Sequence, residues 1–314
     1  MGSPPEAIAG VDDVDCTGMQ VLVTGSTSGI GRQAALAFAR LGADVIVHGR
    51  DAAAGERVVD DLEATGATAR FVEADYSDLD AVRELAETVR SETDELDVLV
   101  NNAGGLFREG RLTDVGVEYT FHVNHLAPYL LTSELLDHLA DGARVVTTAS
   151  AAHRNTSLDL DRVERVDDYS GMWAYSHSKL ANILFSAELA RRLDTADRDV
   201  TANSVHPGAI PGSGFVRFLP GPIPRLVNAL DSLPGITAVT DGAAELLFVA
   251  LSPRVADVSG RYFADLSPAT PSPAASDADA ARRLWEYSAD VLDIPEPLAV
   301  TADSDAPVES SQQS

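Results

Sequence analysis

Met19-Gln20-Val21-Leu22-Val23-Thr24-Gly25-Ser26-Thr27-Ser28-Gly29-Ile30-Gly31 changes its periodicity halfway along. Positions 19–24 are a short apolar, β-branched run, as expected of a strand buried on both faces. From Gly29 onward the apolar residues Ile30, Ala34, Ala37, Phe38 and Leu41 recur at helical spacing. Three glycines lie between the two patterns. Gly25 permits a tight turn, Gly29 lets the backbone approach a pyrophosphate, and Gly31 lets helix and strand pack closely. The first helical turn then offers its amides and its positive dipole end to the phosphates. A strand, a glycine-rich turn and a helix in that order point to a dinucleotide site, with Ser28 and Ile30 among its contacts.

Outward from this stretch the same alternation repeats. Further strands are predicted at residues 43–48, 70–74, 96–101, 143–148, 199–205 and 260–263. Helices are predicted at 52–65, 79–91, 113–139, 173–193 and 242–251. Regular alternation of strand and helix implies βαβ units. The expected fold is therefore α/β: a Rossmann-type, doubly wound parallel sheet of about seven strands with helices on both faces. No linker or repeat divides the chain, so residues 15–295 read as one catalytic domain. Residues 1–14 read as a flexible N-terminus and 296–314 as a disordered acidic tail. Two segments break the rhythm. Residues 154–172 are polar and acidic, while residues 209–239 are rich in Pro and Gly, which suits a lid over a site.

The formal charge is −26, with 32 Asp and 17 Glu spread along all 314 residues. Such a chain repels nucleic acid and anionic membranes, and no run is long and apolar enough to span a bilayer. With no signal pattern at the start, the expected location is the cytoplasm. Cys16 is the single cysteine, which excludes an internal disulfide and suits a small buried side chain beside the first strand. His122 and His125 stand three apart on a predicted helix without carboxylate or cysteine partners, so no metal site is expected. Dispersed acid with almost no lysine suggests a halophile's enzyme.

Of the 23 basic residues, 22 are Arg and one, Lys179, is Lys. It lies in Trp173-Ala174-Tyr175-Ser176-His177-Ser178-Lys179-Leu180-Ala181-Asn182. Tyr175, four residues earlier, shares its helix face. A phenol titrates near 10, and a neighbouring ammonium should pull that value down toward working pH. The pair reads as a proton donor and acceptor with its tuning cation.

The spacing Gly25-x-x-x-Gly29-x-Gly31 resembles that of the short-chain dehydrogenase/reductase family, of the classical type. Asn101-Asn102-Ala103-Gly104, Asn124, Ser150, Tyr175 with Lys179, and His206-Pro207-Gly208 follow in the family's order at the ends of predicted strands. The runs from Asn124 to Thr132, from His177 to Phe185 and from Ala281 to Trp285 resemble the retinol-dehydrogenase-like branch. The resemblance implies a catalytic tetrad of Asn124, Ser150, Tyr175 and Lys179. Tyr175 would exchange the hydroxyl proton, and Lys179 would tune it and hold the nicotinamide ribose. Ser150 would bond the substrate oxygen, and Asn124 would hold a water linking Lys179 to solvent. Asp75 would contact the adenine amino group. Asn102, Ala103, Gly104, Pro207 and Gly208 would line the cofactor. Gly212 stands where the family often has a Thr for the carboxamide, with Ser213 beside it, which leaves that contact in doubt.

An NAD enzyme usually carries an acid at the end of its second strand. Here His48-Gly49-Arg50 ends in a guanidinium suited to a 2′-phosphate, with Arg32 a second candidate and Asp51 reading as a helix cap. NADP(H) is expected over NAD(H). The expected reaction is hydride transfer between nicotinamide and a small-molecule alcohol or carbonyl substrate, apolar to suit the Pro-rich lid. Reduction of a carbon–carbon double bond is the alternative, and a non-catalytic dinucleotide sensor is disfavoured by the retained Tyr and Lys. A homo-oligomer is left open. The acidic composition predicts that stability rises from low to molar KCl. Thermal unfolding across that range checks this, and a salt-independent midpoint would remove the halophile reading.

Overall fold

The computed structural model describes residues 2–208 and 239–299. The chain opens with helix α1 (Pro5–Ala9), then β1 (Gln20–Val23), α2 (Gly29–Arg40), β2 (Asp44–Gly49), α3 (Ala52–Glu63), β3 (Ala69–Glu73), α4 (Leu79–Glu92) and β4 (Leu96–Asn101). Helix α5 (Tyr119–Phe121) runs through a π-turn at His122–Leu126 into α6 (Ala127–Leu135). Then come β5 (Leu139–Thr148), a 3-10 turn at Ala151–Asn155, α7 (Leu160–Val163), α8 (Gly171–Thr195) and β6 (Val200–Val205). Helix α9 (Val239–Leu251), β7 (Tyr262–Ala264), β8 (Ser267–Ala269) and α10 (Ala278–Leu292) complete the described chain.

The strands form one sheet in the order β3-β2-β1-β4-β5-β6-β7-β8. All neighbours are parallel except β7 and β8, so the short β8 is an addition to the expected seven. Both faces are covered. Leu22, Leu99 and Val145 face the layer built on α4, α6, α8 and α10, whereas Val21, Val23, Val98, Val100 and Val146 face the layer of α2, α3 and α9. Burial on both sides is why these strands read as unbroken apolar runs rather than alternating ones. The chain reverses its winding between β1 and β4, which places the ends of those strands at the sheet's switch point, where open α/β sheets bind ligands.

Several boundaries differ from the sequence reading. The helix expected over residues 113–139 begins only at Tyr119. Gly116 (φ +78°) turns the chain back so that Thr113 N–H meets Val117 O at 2.8 Å, and Glu118 then caps the helix through the N–H groups of Thr120 and Phe121. The N-terminus expected to be flexible is packed. Ala9 and Val11 are buried, α1 lies against α9, and Glu6 binds Arg40 on α2 through two bonds of 2.6 and 2.7 Å. Residues 296–299, expected to belong to the tail, pack against the domain. Glu296 pairs with Arg192, whose guanidinium also reaches Leu298 O at 3.3 Å and lies over the Trp285 ring on α10. Helix α10 itself was not among the predicted elements. The proposed lid at 209–239 lies, but for its last residue, outside the described residues, as does the tail from residue 300.

Asp265 and Leu266 in the β7–β8 turn both adopt φ +53°, a left-handed conformation costly for residues with side chains. Buried Glu245 on α9 holds this turn by accepting the Leu266 N–H at 2.9 and 3.1 Å. Burial, with the charges of Asp265 and Asp241, pushes the Glu245 carboxyl up to about 7 against the bonds it accepts. Between its unfolded value and about 7 the folded protein keeps a proton that the unfolded chain has released. Its contribution to stability is therefore full at low pH and lost as pH rises through that window. Glu245→Gln, which keeps an acceptor for Leu266, should remove on the order of 2 kcal/mol of this pH dependence. Thermal midpoints of both proteins from pH 5 to 8 check it, and parallel curves would count against it.

Candidate active site

The glycine turn after β1 is pinned to the end of β4. Thr24 Oγ1 donates to Val100 O at 3.1 Å and accepts the N–H groups of Asn102 and Ala103, each at 3.0 Å. Asn102 Nδ2 returns a bond of 2.9 Å to Thr24 O. Two backbones meet here. A Cβ on Gly25 (φ +65°) would stand 2.8 Å from Ala103 Cα, and one on Gly31 would stand 2.5 Å from Gly25 O and 2.6 Å from Asn102 Nδ2. Gly31 is thus required by the turn itself rather than by packing of helix on strand. Gly29 (φ +59°) suits a residue without a side chain by its conformation, and a Cβ there would meet no protein atom within 4 Å. Ser28 stands at the N-cap of α2 without a side-chain capping bond, followed by Ile30 in the first turn. This cradle of main chain at a helix N-terminus fits the pyrophosphate of a dinucleotide.

His48, at the end of β2, supports the turn and was not singled out from the sequence. Its Nδ1 accepts the Gly25 N–H at 3.2 Å and its Nε2 meets Ala74 O at 3.1 Å, so the ring carries its proton on Nε2. Burial holds the imidazole near 4, hence neutral. Beyond it, Arg50 Nη1 lies 3.5 Å from Asp75 Oδ2, both side chains exposed. Burial raises the Asp75 carboxyl, but bonds from Ser77 and Arg50 outweigh it and leave it below the usual range. Arg32 is engaged elsewhere, 2.6 Å from Asp61. Asp51 caps α3 by accepting the Ala54 N–H at 2.9 Å, as its position suggests.

At the other end of the cleft the four tetrad candidates converge. Ser150 caps the 3-10 turn after β5, and its hydroxyl bonds Tyr175. Lys179, one turn along α8, is buried and gives its ammonium to Thr148 O at 2.9 Å, a carbonyl that also accepts from Asn182. Asn124 lies in the π-turn with Nδ2 on Gly105 O and Ser178 Oγ, each at 2.9 Å, and Oδ1 on Gly105 N–H at 2.8 Å. A Cβ on Gly104 would come within 2.7 Å of Asn124 Oδ1 and 3.7 Å of Lys179 Nζ, so the β4 loop, the π-turn and α8 share one point. Pro207 and Gly208 (φ +88°) follow β6 on the same sheet edge. Gly212 and Ser213 lie outside the described residues.

The electrostatics depart from expectation. Burial pushes the Tyr175 phenol up, and the bond from Ser150 is what opposes the rise. Lys179 Nζ stands 5.8 Å from the centre of the Tyr175 ring with its charge turned to Thr148 O, so the expected lowering by the ammonium is not seen. Burial instead lowers Lys179 itself to about 8.

The profile described as short chain dehydrogenase matches residues 19–217. The chain belongs to this family. It is 37% identical over 291 residues to retinol dehydrogenase 14 of Homo sapiens, covering 86% of this chain and 85% of the relative. To the chloroplastic short-chain dehydrogenase TIC 32 A of Brassica napus it is 34% identical, with 91% and 92% covered. A crystal structure of a short chain dehydrogenase from Burkholderia cenocepacia in complex with NADP superposes at a TM-score of 0.63 and 30% identity, covering 83% of this chain and 99% of that one. This short-chain dehydrogenase is an oxidoreductase acting on CH–OH or C=O groups with a nicotinamide dinucleotide. Among its described residues no helix is long and apolar enough to cross a membrane, and no cluster of ligating side chains could hold a metal.

Besides His48, the dehydrogenase relies on Thr24 and Ser178, whose roles no local pattern in the sequence marks. Both act through contacts far away in the chain, to Val100 and Asn124. Gly31→Ala should raise the dinucleotide dissociation constant at least about tenfold, because its methyl group meets main chain that cannot yield. Titration of the purified protein with NADPH measures this, and unchanged affinity would refute the cradle.

Proposed function

We propose that this dehydrogenase transfers hydride between NADP(H) and an apolar alcohol or carbonyl compound, with Tyr175 as the proton carrier. The observation that carries the reading is the cluster at the end of β5, where Ser150 bonds Tyr175 and the buried Lys179 lies one helical turn away. When bound, the nicotinamide supplies or takes the hydride. In the reducing direction Ser150 Oγ orients the substrate oxygen and Tyr175 gives it a proton as general acid; in oxidation Ser150 keeps that role and Tyr175, as phenolate, takes the proton as general base. The rise that burial gives the phenol suits an acid that stays protonated until the oxygen takes negative charge. Lys179, charged below about 8, stabilises the phenolate left behind and binds the ribose. An α-helix would send the N–H of residue 128 to the Asn124 carbonyl, and Pro128 has none. With the Asn124 amide committed to Gly105 and Ser178, the water-holding role falls to that carbonyl.

Arg50 supports NADP(H). It stands at the end of β2, where an NAD enzyme would have an acid, and its contact with Asp75 is a long, exposed one that a 2′-phosphate can replace. The neighbour with NADP bound supports the same choice.

Three measurements test the reading. Tyr175→Phe should lower kcat for NADPH-dependent reduction of a panel of aldehydes and ketones by at least about a thousandfold with little change in NADPH affinity. Normal turnover would remove Tyr175 as proton carrier. Arg50→Ala should reduce the NADPH-over-NADH ratio of kcat/KM by about ten- to a hundredfold, and a wild-type preference for NADH would sink the cofactor choice. The pH profile follows from Lys179. In the wild type, kcat/KM for reduction should be level below pH 8 and fall above about 8 as Lys179 loses its charge. A profile flat to pH 10 would contradict its role.

A further inference from the structure

The reaction uses the hydroxyl of Ser150, but the carbonyl of the same residue carries a second set of contacts. His153, in the 3-10 turn, directs two donors at Ser150 O: its main-chain N–H at 3.2 Å and its ring Nδ1 at 2.7 Å. The opposite ring nitrogen, Nε2, lies 3.0 Å from the N–H of Ser272. An amide N–H only donates, so Nε2 is the acceptor and the ring proton is on Nδ1. The side chain is fully buried, edge-on to Tyr262 with ring centres 5.1 Å apart. Burial and the charge of neighbouring Arg154 favour the neutral ring over the bond to Ser150, which alone would favour the charged one. Arg154 ties the same two segments, its Nη2 meeting Thr270 O at 2.6 Å.

The two sides of Ser150 are held differently. Before it, Ala149 N–H bonds Val205 O at 2.8 Å and continues the sheet ladder. After it the chain leaves the sheet with Ser150 extended (φ −160°, ψ 151°), and its own hydroxyl accepts the Ala152 N–H at 3.2 Å. The shortest bond fixing the peptide that follows Ser150 is the one from the His153 ring. A rotation of that peptide swings Ser150 Oγ relative to Tyr175.

We propose that His153 is a positioning residue: its Nδ1–H clamps the Ser150 carbonyl, and the Ser272 N–H, 119 residues away in sequence, selects the tautomer that makes the clamp. The inference rests on Ser150 and Tyr175 being the substrate-facing pair. His153 acts through the Ser150 carbonyl, with its ring between Ser150, Ser272 and Tyr262. Its effect is on geometry, where a displacement of about 1 Å costs on the order of a hundredfold in rate.

Two half-isosteres separate the clamp from packing. His153→Asn places an amide donor near Nδ1 and gives up Ser272. His153→Gln reaches Ser272 with its carbonyl and gives up the donor to Ser150. In the full-length protein with NADPH and an aldehyde substrate, His153→Gln should lose about tenfold in kcat while KM and NADPH affinity stay within about twofold. His153→Asn should keep kcat within about threefold of wild type at a comparable thermal midpoint. If the Gln variant does not fold, His153→Ala takes its place in the same comparison. The double variant Ser150→Ala/His153→Gln should be no slower than Ser150→Ala, because a residue acting through Ser150 has nothing left to position. Equal kcat losses in the Asn and Gln variants, in step with thermal midpoint, would show a packing role only and overturn the proposal. Additive losses in the double variant with Ser150→Ala impaired would overturn the clamp while leaving the catalytic assignment standing. A fully active Ser150→Ala would instead remove the catalytic role of Ser150 and the clamp with it.

Discussion

The contact between Gly25 and Ala103 sets the distance on which the rest of the molecule depends. At the switch point of the sheet the turn after β1 and the loop after β4 run so close that no side chain fits between them. Thr24 fixes their register by joining Val100, Asn102 and Ala103 through one hydroxyl. His48 then buttresses the same turn from β2 with a neutral ring whose tautomer is set by Ala74. From this point the helix N-terminus, the Arg50–Asp75 pair and the loop of Gly104 against Asn124 all take their places. The geometry is one of main chain against main chain, and this makes it rigid without bulk.

The reacting end is organised by desolvation. Lys179 is buried and Tyr175 partly so, and withdrawal from water moves both toward their neutral forms, the phenol up and the ammonium down to about 8. The phenol therefore holds its proton more tightly, and the ammonium less tightly, than either would in water. Ser150 is the group that opposes the rise in Tyr175, so the aim of one hydroxyl carries weight in the electrostatics. The carbonyls at the end of β5 hold these parts in place, Thr148 for Lys179 and Asn182, Ser150 for His153.

Much of this was legible in the chain because it is local. The glycine spacing, the apolar runs of β1, β4 and β5 and the four-residue interval between Tyr175 and Lys179 are each satisfied within a turn or a strand. The start of α5 was missed because a tertiary detail overrides the apolar period: Gly116 and the Glu118 cap end the loop where composition suggests continued helix. The N-terminal segment looked loose because its few apolar residues and acids form no pattern of their own. Its order comes from Glu6 meeting Arg40 and from burial of Val11 under α9.

By itself the sequence determined which residues could serve: the one lysine, the glycines that tolerate left-handed or crowded positions, and an arginine where an acid would otherwise bind ribose. Their periodicity also determined a doubly wound sheet, because two-sided burial writes itself into consecutive residues. Only the tertiary structure decided their states. The Tyr175 phenol is raised rather than lowered because burial outweighs the bond from Ser150, while Lys179 gives its ammonium to Thr148 O, a partner 31 residues away. The tautomer of His153 is set by an N–H that the chain brings back from Ser272. Such properties depend on distance and exclusion of water, which exist only once separate segments have packed.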